Sequence, residues 1–331
     1  MKKILYTLFS LIVFMTMLTA HFQYVEYLKN QHKNTEQLDD KPPYTTNADY
    51  IHISFDDVST CFSNLSTGLY SNLFDEPFFA KLKELHNEYN AKFSLYTYNS
   101  VLDHVSNRYS SDFSNSSTWL KIGLHSDSNG LNLSTATYDD GFTFWNNFVS
   151  NIERICGTTD CIDRIPRLEY FGGSYDCLLG MRDANCGALG FLSADDNRLS
   201  YYFDTSIMNY LYINDYLKDE NANLLFVTTD IRADWFYNFS SNNLYRAPIK
   251  TNLYNELVYR NQTSAFDSSF KSLIVFTHEW LVYNGANTNI KFNSIVNACQ
   301  FAKQYSISFD YAQNREYQNT NSNSLFDNIT V

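Results

Sequence analysis

Ile51-His52-Ile53-Ser54-Phe55-Asp56-Asp57 is a short apolar strand that ends in two adjacent carboxylates. Apolar and polar residues alternate along 50–55, the pattern of a buried strand, and neighbouring side chains on an extended backbone point to opposite sides. Asp56 and Asp57 are therefore expected to do different jobs. One would bind a metal while the other meets the attacking water as a base. Two Asp at a strand end also serve as a helix cap or a solvated turn, so the rest of the chain must decide.

Two further apolar runs end the same way. Trp119-Leu-Lys-Ile-Gly-Leu-His125-Ser126 delivers one histidine and Ser272-Leu-Ile-Val-Phe-Thr-His278-Glu279 another. The carboxyl ends of strands are where α/β barrels and open α/β sheets place their sites. Three runs that bring Asp or His there point to a shared metal or acid–base centre.

Helical spacing of apolar residues marks 76–89, 139–156, 174–182 and 294–305. Extended runs mark 92–98, 164–171, 188–194, 223–229 and 306–311, while the Ser/Asn-rich stretch Asn107–Thr118 reads as loop. Strands alternating with helices imply a parallel sheet, here a distorted (β/α) barrel of seven or eight strands. There is no internal repeat, glycine-rich phosphate loop or Gly-x-Ser-x-Gly elbow.

The order of these motifs resembles the polysaccharide deacetylases with a NodB-homology domain, carbohydrate esterase family 4. The first motif of that family is matched by Ser54-Phe55-Asp56-Asp57 and the second by His125-Ser126-Asp127-Ser128-Asn129. The third is matched by Arg167-Leu-Glu-Tyr170-Phe171-Gly172-Gly173 and the last by Phe276-Thr277-His278. The resemblance spans roughly 50–311 and implies a NodB-like barrel that removes acetyl groups from N- or O-acetylated sugars of a polysaccharide or cell-envelope glycan. It implies a divalent ion, zinc by preference, on Asp57 and His125, with Asp56 as base and His278 as acid. Tyr170, Phe171, Gly172 and Gly173 would help bind substrate and the oxyanion, and Trp280 would line the sugar cleft. Asn129 stands where the family has its second motif histidine, and zinc prefers imidazole, thiolate or carboxylate. Asp127, His278 and Asn129 are the candidates for the third ligand. Asp195, Asp196 and Glu279 are further candidates for the site, and Arg167 for orienting Asp56, with a surface ion pair as its alternative.

Two other classes compete: a catalytically inactive NodB-like protein that binds glycan, and a glycoside hydrolase. The second needs two acids ~5–10 Å apart and has no use for His125 and His278.

Residues 1–22 begin Met-Lys-Lys and continue as an apolar run, a signal peptide or membrane anchor. Residues 23–48 read as a linker, 49–312 as the deacetylase-like domain and 313–331 as a polar tail. The expected location is exported, in a bacterial cell envelope or secreted, with membrane contact through the N-terminal segment alone. Six cysteines in an exported chain read as disulfides; the sequence leaves open which of the fifteen possible pairings holds, and Cys156 with Cys161, Cys177 with Cys186 and Cys61 with Cys299 is one set that it allows. The net charge of −12 argues against nucleic acid as a partner, which rewards Lys/Arg patches. Carbohydrate is the expected one.

Overall fold

Among the described residues nine strands are seen: β1 Tyr50–Val58, β2 Phe93–Tyr98, β3 Leu120–Ser126, β4 Gly190–Ser193, β5 Tyr216–Asp219, β6 Leu224–Thr228, β7 Ile231–Arg232, β8 Ser272–His278 and β9 Ser308–Phe309. The computed structural model describes residues 50–126, 132–194, 199–214, 216–229, 231–233, 272–283, 292–304 and 306–315. All of them belong to one compact unit, Thr46–Val331. Among the described residues no helix is long and apolar enough to cross a membrane. The leader, the linker and the tail beyond residue 315 lie outside the described residues.

β1 is central, with β2 on one side and β8 on the other, and all of its residues except Asp57 are buried. The larger sheet runs β3-β2-β1-β8-β7, all parallel, and β9 also pairs with β1. One face of β1 packs against helices: Phe55 meets Phe78 of the helix Pro77–Tyr89 at 5.2 Å and Phe292 at 5.7 Å between ring centroids. The other face carries His52, Ser54 and Asp56, all buried.

A smaller sheet, β4-β6-β5, has β4 and β6 parallel and β5 antiparallel. Tyr96, Ile274, Leu192, Val227 and Ile165 belong to the apolar cluster shared by the two sheets. Backbone bonds through the segment between them link them as well: Asp163 N–H donates to Ile122 O at 2.8 Å and Leu192 N–H to Pro166 O at 2.8 Å. The α/β class with parallel strands and surrounding helices is as expected, but the ladders among the described residues form two linked sheets and do not draw a complete barrel. The reason lies in 164–171, expected as a strand. Pro166 has no N–H to give a ladder, and the chain then turns into a 3-10 helix at Glu169–Phe171, with Tyr170 and Phe171 both at φ +54.

Two other expectations, the loop at 107–118 and the disulfides, are corrected. Asn107–Thr118 is not loop: it holds a 3-10 turn and the helix Ser110–Ser116, which buries Tyr109 and Phe113. Gln313 lies in the 3-10 helix Ala312–Asn314, and its Oε1 accepts from Arg164 N–H at 2.6 Å. The six cysteines are free thiols. Cys61 lies against the Glu279 carboxylate while Cys299 lies near Glu88, so that expected pair meets different neighbours. Cys156 and Cys161 do meet, as two thiols sharing a hydrogen bond.

The helix Tyr138–Cys156 starts with a capping box of Thr137 and Asp140 and stops at Gly157, φ +73. It crosses the helix Tyr175–Asp183 at two glycines. A Cβ on Gly141 would lie 2.0 Å from Cys177 O, and one on Gly180 would lie 2.1 Å from Tyr138 O. This backbone-to-backbone approach is open to glycine alone.

Candidate active site

The three strand ends converge. A cavity of about 170 Å³ is lined by Asp56, Asp57, His125, Arg167, Leu168, Glu169, Tyr170, Phe171, Phe276 and His278. β1 and β8 pair with Asp56 opposite His278, so the parallel register itself brings the first and last motifs together.

Both aspartates face this cavity, contrary to the alternation expected from the sequence. The pairing of β1 with β2 shifts register between Phe55 and Val58, and Asp57 takes φ +56. That bulge turns Asp57 back to the side of Asp56, a common use of bulges beside functional sites. The two carboxylates are separated by their partners instead.

Asp56 is paired with Arg167. Nη1 of the buried arginine donates to Asp56 Oδ1 at 2.7 Å and to Ser54 Oγ at 3.2 Å, while Nη2 donates to Thr229 Oγ1 at 2.9 Å. The guanidinium carbon sits 4.2 Å from the centroid of Phe276, so it is held by stacking as well. Arg167 is therefore no surface ion pair. It fixes Asp56 in place.

Asp57 gathers donors. Tyr98 Oη donates to Oδ1 at 2.5 Å and Trp280 Nε1 to Oδ2 at 3.1 Å. His125 Nε2 lies 3.3 Å from Oδ1 and His278 Nε2 3.9 Å from Oδ2. Burial opposes the charge on Asp57, but the bonds from His125 and Tyr98 outweigh it and hold its carboxyl well below the usual range. Burial, reinforced by the bond to Asp57, pushes the Tyr98 phenol far above its ordinary value, which makes it a donor and not a base.

His125 decides what this pair can hold. Its Nδ1 lies 2.6 Å from Arg167 O, and a carbonyl can only accept, so Nδ1 carries the proton. Nε2 then faces the Asp57 carboxylate, and either a proton or a cation has to sit between two acceptors. Burial works against a charged ring here, yet the bond to Asp57 and the field of Asp56 prevail and raise its pKa. A histidine anchored through Nδ1 on a carbonyl, with Nε2 beside a carboxylate, is also how metal-ligating imidazoles are held. Asp57 and His125 thus fit a divalent ion as two of its donors. Among the described residues no group of three His, Cys, Asp or Glu is set to hold a metal. Asp127 and Asn129, candidates for the third ligand, lie outside the described residues, as do Asp195 and Asp196.

Of the other expected substrate contacts, Tyr170 and Phe171 line the cavity, and Tyr170 is 89 % exposed at its rim. Gly172 and Gly173 do not line it. Gly173 makes room for Leu178 instead, whose Cδ2 lies 2.7 Å from where a Cβ would be. Glu279 is buried away from the cavity and accepts backbone N–H groups. The sequence reading missed Tyr98 and Thr229. Tyr98 ends a strand like the three motif residues, but an aromatic there looks the same as core.

No known family model matches the chain, and no curated protein matches it. Among solved structures the chain is similar to the Bc1960 peptidoglycan N-acetylglucosamine deacetylase, in complex with 4-naphthalen-1-yl-N-oxidanyl-benzamide, at 13 % identity and a TM-score of 0.36. That likeness covers 82 % of this chain and 89 % of the other. It is also similar to a BA3943 mutant, described as a CE4 family pseudoenzyme with restored enzymatic activity, at 10 % identity and a TM-score of 0.38, over 84 % of this chain and 72 % of that one. At such identity and TM-score these likenesses decide nothing about chemistry, which has to come from the chain's own residues.

Proposed function

We propose that the protein is a metal-dependent deacetylase that hydrolyses acetyl groups on N- or O-acetylated sugars of a polysaccharide, acting outside the cytoplasm. The observation that carries this reading is the single cavity holding a buried Arg167–Asp56 pair, an Asp57–His125 pair with converging acceptors, and His278. Hydrolysis of an amide needs a base for water, an acid for the leaving amine and a positive centre for the acyl oxygen.

Asp57 and His125 would hold the divalent ion, zinc by preference, with a third donor such as Asp127. When bound, such an ion polarises an acyl oxygen and lowers the pKa of water towards ~7. Asp56, kept in place by Arg167, accepts the proton of the attacking water. His278 gives a proton to the departing nitrogen. The N–H groups of Phe171 and Gly172 are engaged with Leu168 O and Glu169 O, and the acyl oxygen would be met from the wall that Tyr170 and Phe171 form. Tyr98 and Trp280 hold the Asp57 carboxylate.

A second reading, an inactive glycan-binding protein, draws on the two-donor set seen among the described residues. Acetate release from an N-acetylglucosamine oligomer separates the two. Zinc-loaded protein is expected to release acetate and a chelator to stop it. Glycan binding without acetate release, at full zinc occupancy, favours the second reading.

A further inference from the structure

We infer that Glu279 is a positioning residue that sets the geometry of Asp57. The activity part of this inference rests on the deacetylase reading above; the geometric part does not.

Glu279 is fully buried, beside a site it does not enter. Oε2 accepts the N–H of Ser59 at 2.8 Å and of Thr60 at 2.7 Å, and Oε1 accepts that of Cys61 at 2.7 Å. These donors open the helix Thr60–Ser66, and its N-cap Ser59 makes no side-chain capping bond of its own. Glu279 supplies the missing acceptor from 220 residues away in sequence. Open N–H groups at a helix start need such a partner, and a charged acceptor makes the stronger bond.

Ser59 follows Asp57 by two residues, and Asp57 holds the left-handed conformation that L residues adopt at a cost. Strain of this kind persists only where its surroundings over-determine it. Glu279 fixes the chain immediately after Asp57. Its two neighbours hold Asp57 itself: Trp280 Nε1 donates to Oδ2, and His278 Nε2 stands 3.9 Å from the same oxygen. Tyr283 extends the grip, since its hydroxyl donates to Glu76 Oε1 at 2.5 Å and it accepts from Asn64 Nδ2 at 2.8 Å. The segment 278–283 thus clamps the segment after β1, with Glu279 as its most buried contact. A glutamine there has one acceptor oxygen and would turn an NH₂ toward a backbone N–H.

The test uses the full-length chain labelled with ¹⁵N-tryptophan. The indole resonance of Trp280 is assigned by Trp280→Phe, and kcat and KM are measured on the acetylated oligomer. Thr137→Ala, which removes a cap remote from the site, supplies a folded control of lowered stability. Glu279→Gln is expected to displace the Trp280 resonance and to lower kcat at least about tenfold, with KM within about twofold, because misplacement of a reacting group falls on the chemical step. Glu279→Asp is expected to recover part of both. If Glu279→Gln only lowers the melting temperature as Thr137→Ala does, with resonance and kcat unmoved, the inference is overturned. A displaced resonance with unchanged kcat overturns it too, provided that Asp57→Asn does abolish turnover. Should Asp57→Asn leave turnover intact, the deacetylase reading fails, and the resonance alone decides whether Glu279 positions Asp57.

Discussion

Arg167 Nη1 and Asp56 Oδ1 lie 2.7 Å apart, and the side chains are only 2 % and 4 % exposed. Two buried charges are tolerated because each answers the other, while Ser54 and Thr229 take further guanidinium N–H groups. Removing one partner leaves the other charged and alone. Arg167→Ala is expected to cost about 3–5 kcal/mol of stability in urea unfolding. Arg167→Lys keeps the charge but loses the fork that reaches Asp56, Ser54 and Thr229 together. It should fold and turn over substrate more slowly. Wild-type rates in Arg167→Lys would remove Arg167 from the account of Asp56.

The two adjacent aspartates make the clearest chemical contrast. Asp57→Asn loses the charge that faces His125 and is expected to lose bound divalent ion, read by elemental analysis of the purified protein. Asp56→Asn is expected to keep the ion and lose activity by ~10²–10⁴, the usual worth of a general base. The reverse pattern, with the ion lost from Asp56→Asn alone, would exchange the two roles.

How much of this was legible in the sequence follows from the range over which each feature is decided. Asp57, His125 and His278 were readable because a strand and its carboxyl end are local patterns. The bulge at Asp57 was not, since it is set by the ladder with β2 and not by the seven residues of the motif. Arg167 was legible only as a candidate, because its partner Asp56 stands 111 residues away in sequence. The turn at Glu169–Phe171 that follows it was not legible either, because the two positive φ values there carry no compositional signal at Tyr170 and Phe171. Glu279 was misplaced for a similar reason: sequence adjacency to His278 suggested the cleft, while its three donors come from the far end of the chain. The small antiparallel strand β5 and the helix Thr205–Asn214 fell between stronger patterns.

Gly141 offers a test of packing apart from the site. A methyl group there would meet backbone, Cys177 O at 2.0 Å, which cannot rotate away. Gly141→Ala is expected to lower stability by at least about 1–3 kcal/mol, because the two helices must part. Gly180→Ala should do the same against Tyr138 O. The double variant should cost less than the sum, since both lesions are relieved by one separation. Additive losses in chemical denaturation would show that the helices do not move as a pair.

His52 makes stability depend on pH. Its Nε2 lies 3.0 Å from Tyr96 Oη, which in turn donates to Asp163 Oδ2 at 3.1 Å, so Nε2 carries the proton and donates. Burial lowers the pKa of this ring from 6.5 to about 4; Asp163 and Asp310 raise it and Arg167 lowers it further. In the folded protein His52 stays neutral down to about pH 4, whereas the unfolded chain takes up a proton below 6.5. The unfolded state binds more protons inside this window, so the stability present above pH 6.5 is lost as pH falls towards 4. The shift corresponds to about 3 kcal/mol in full. His52→Gln keeps a donor for Tyr96 and cannot titrate. It is expected to be less stable than wild type at pH 7.5 through lost packing, and to close most of that gap at pH 4.5. Urea unfolding of both proteins at the two pH values measures the difference, and a gap that stays constant would show that His52 is protonated in the fold.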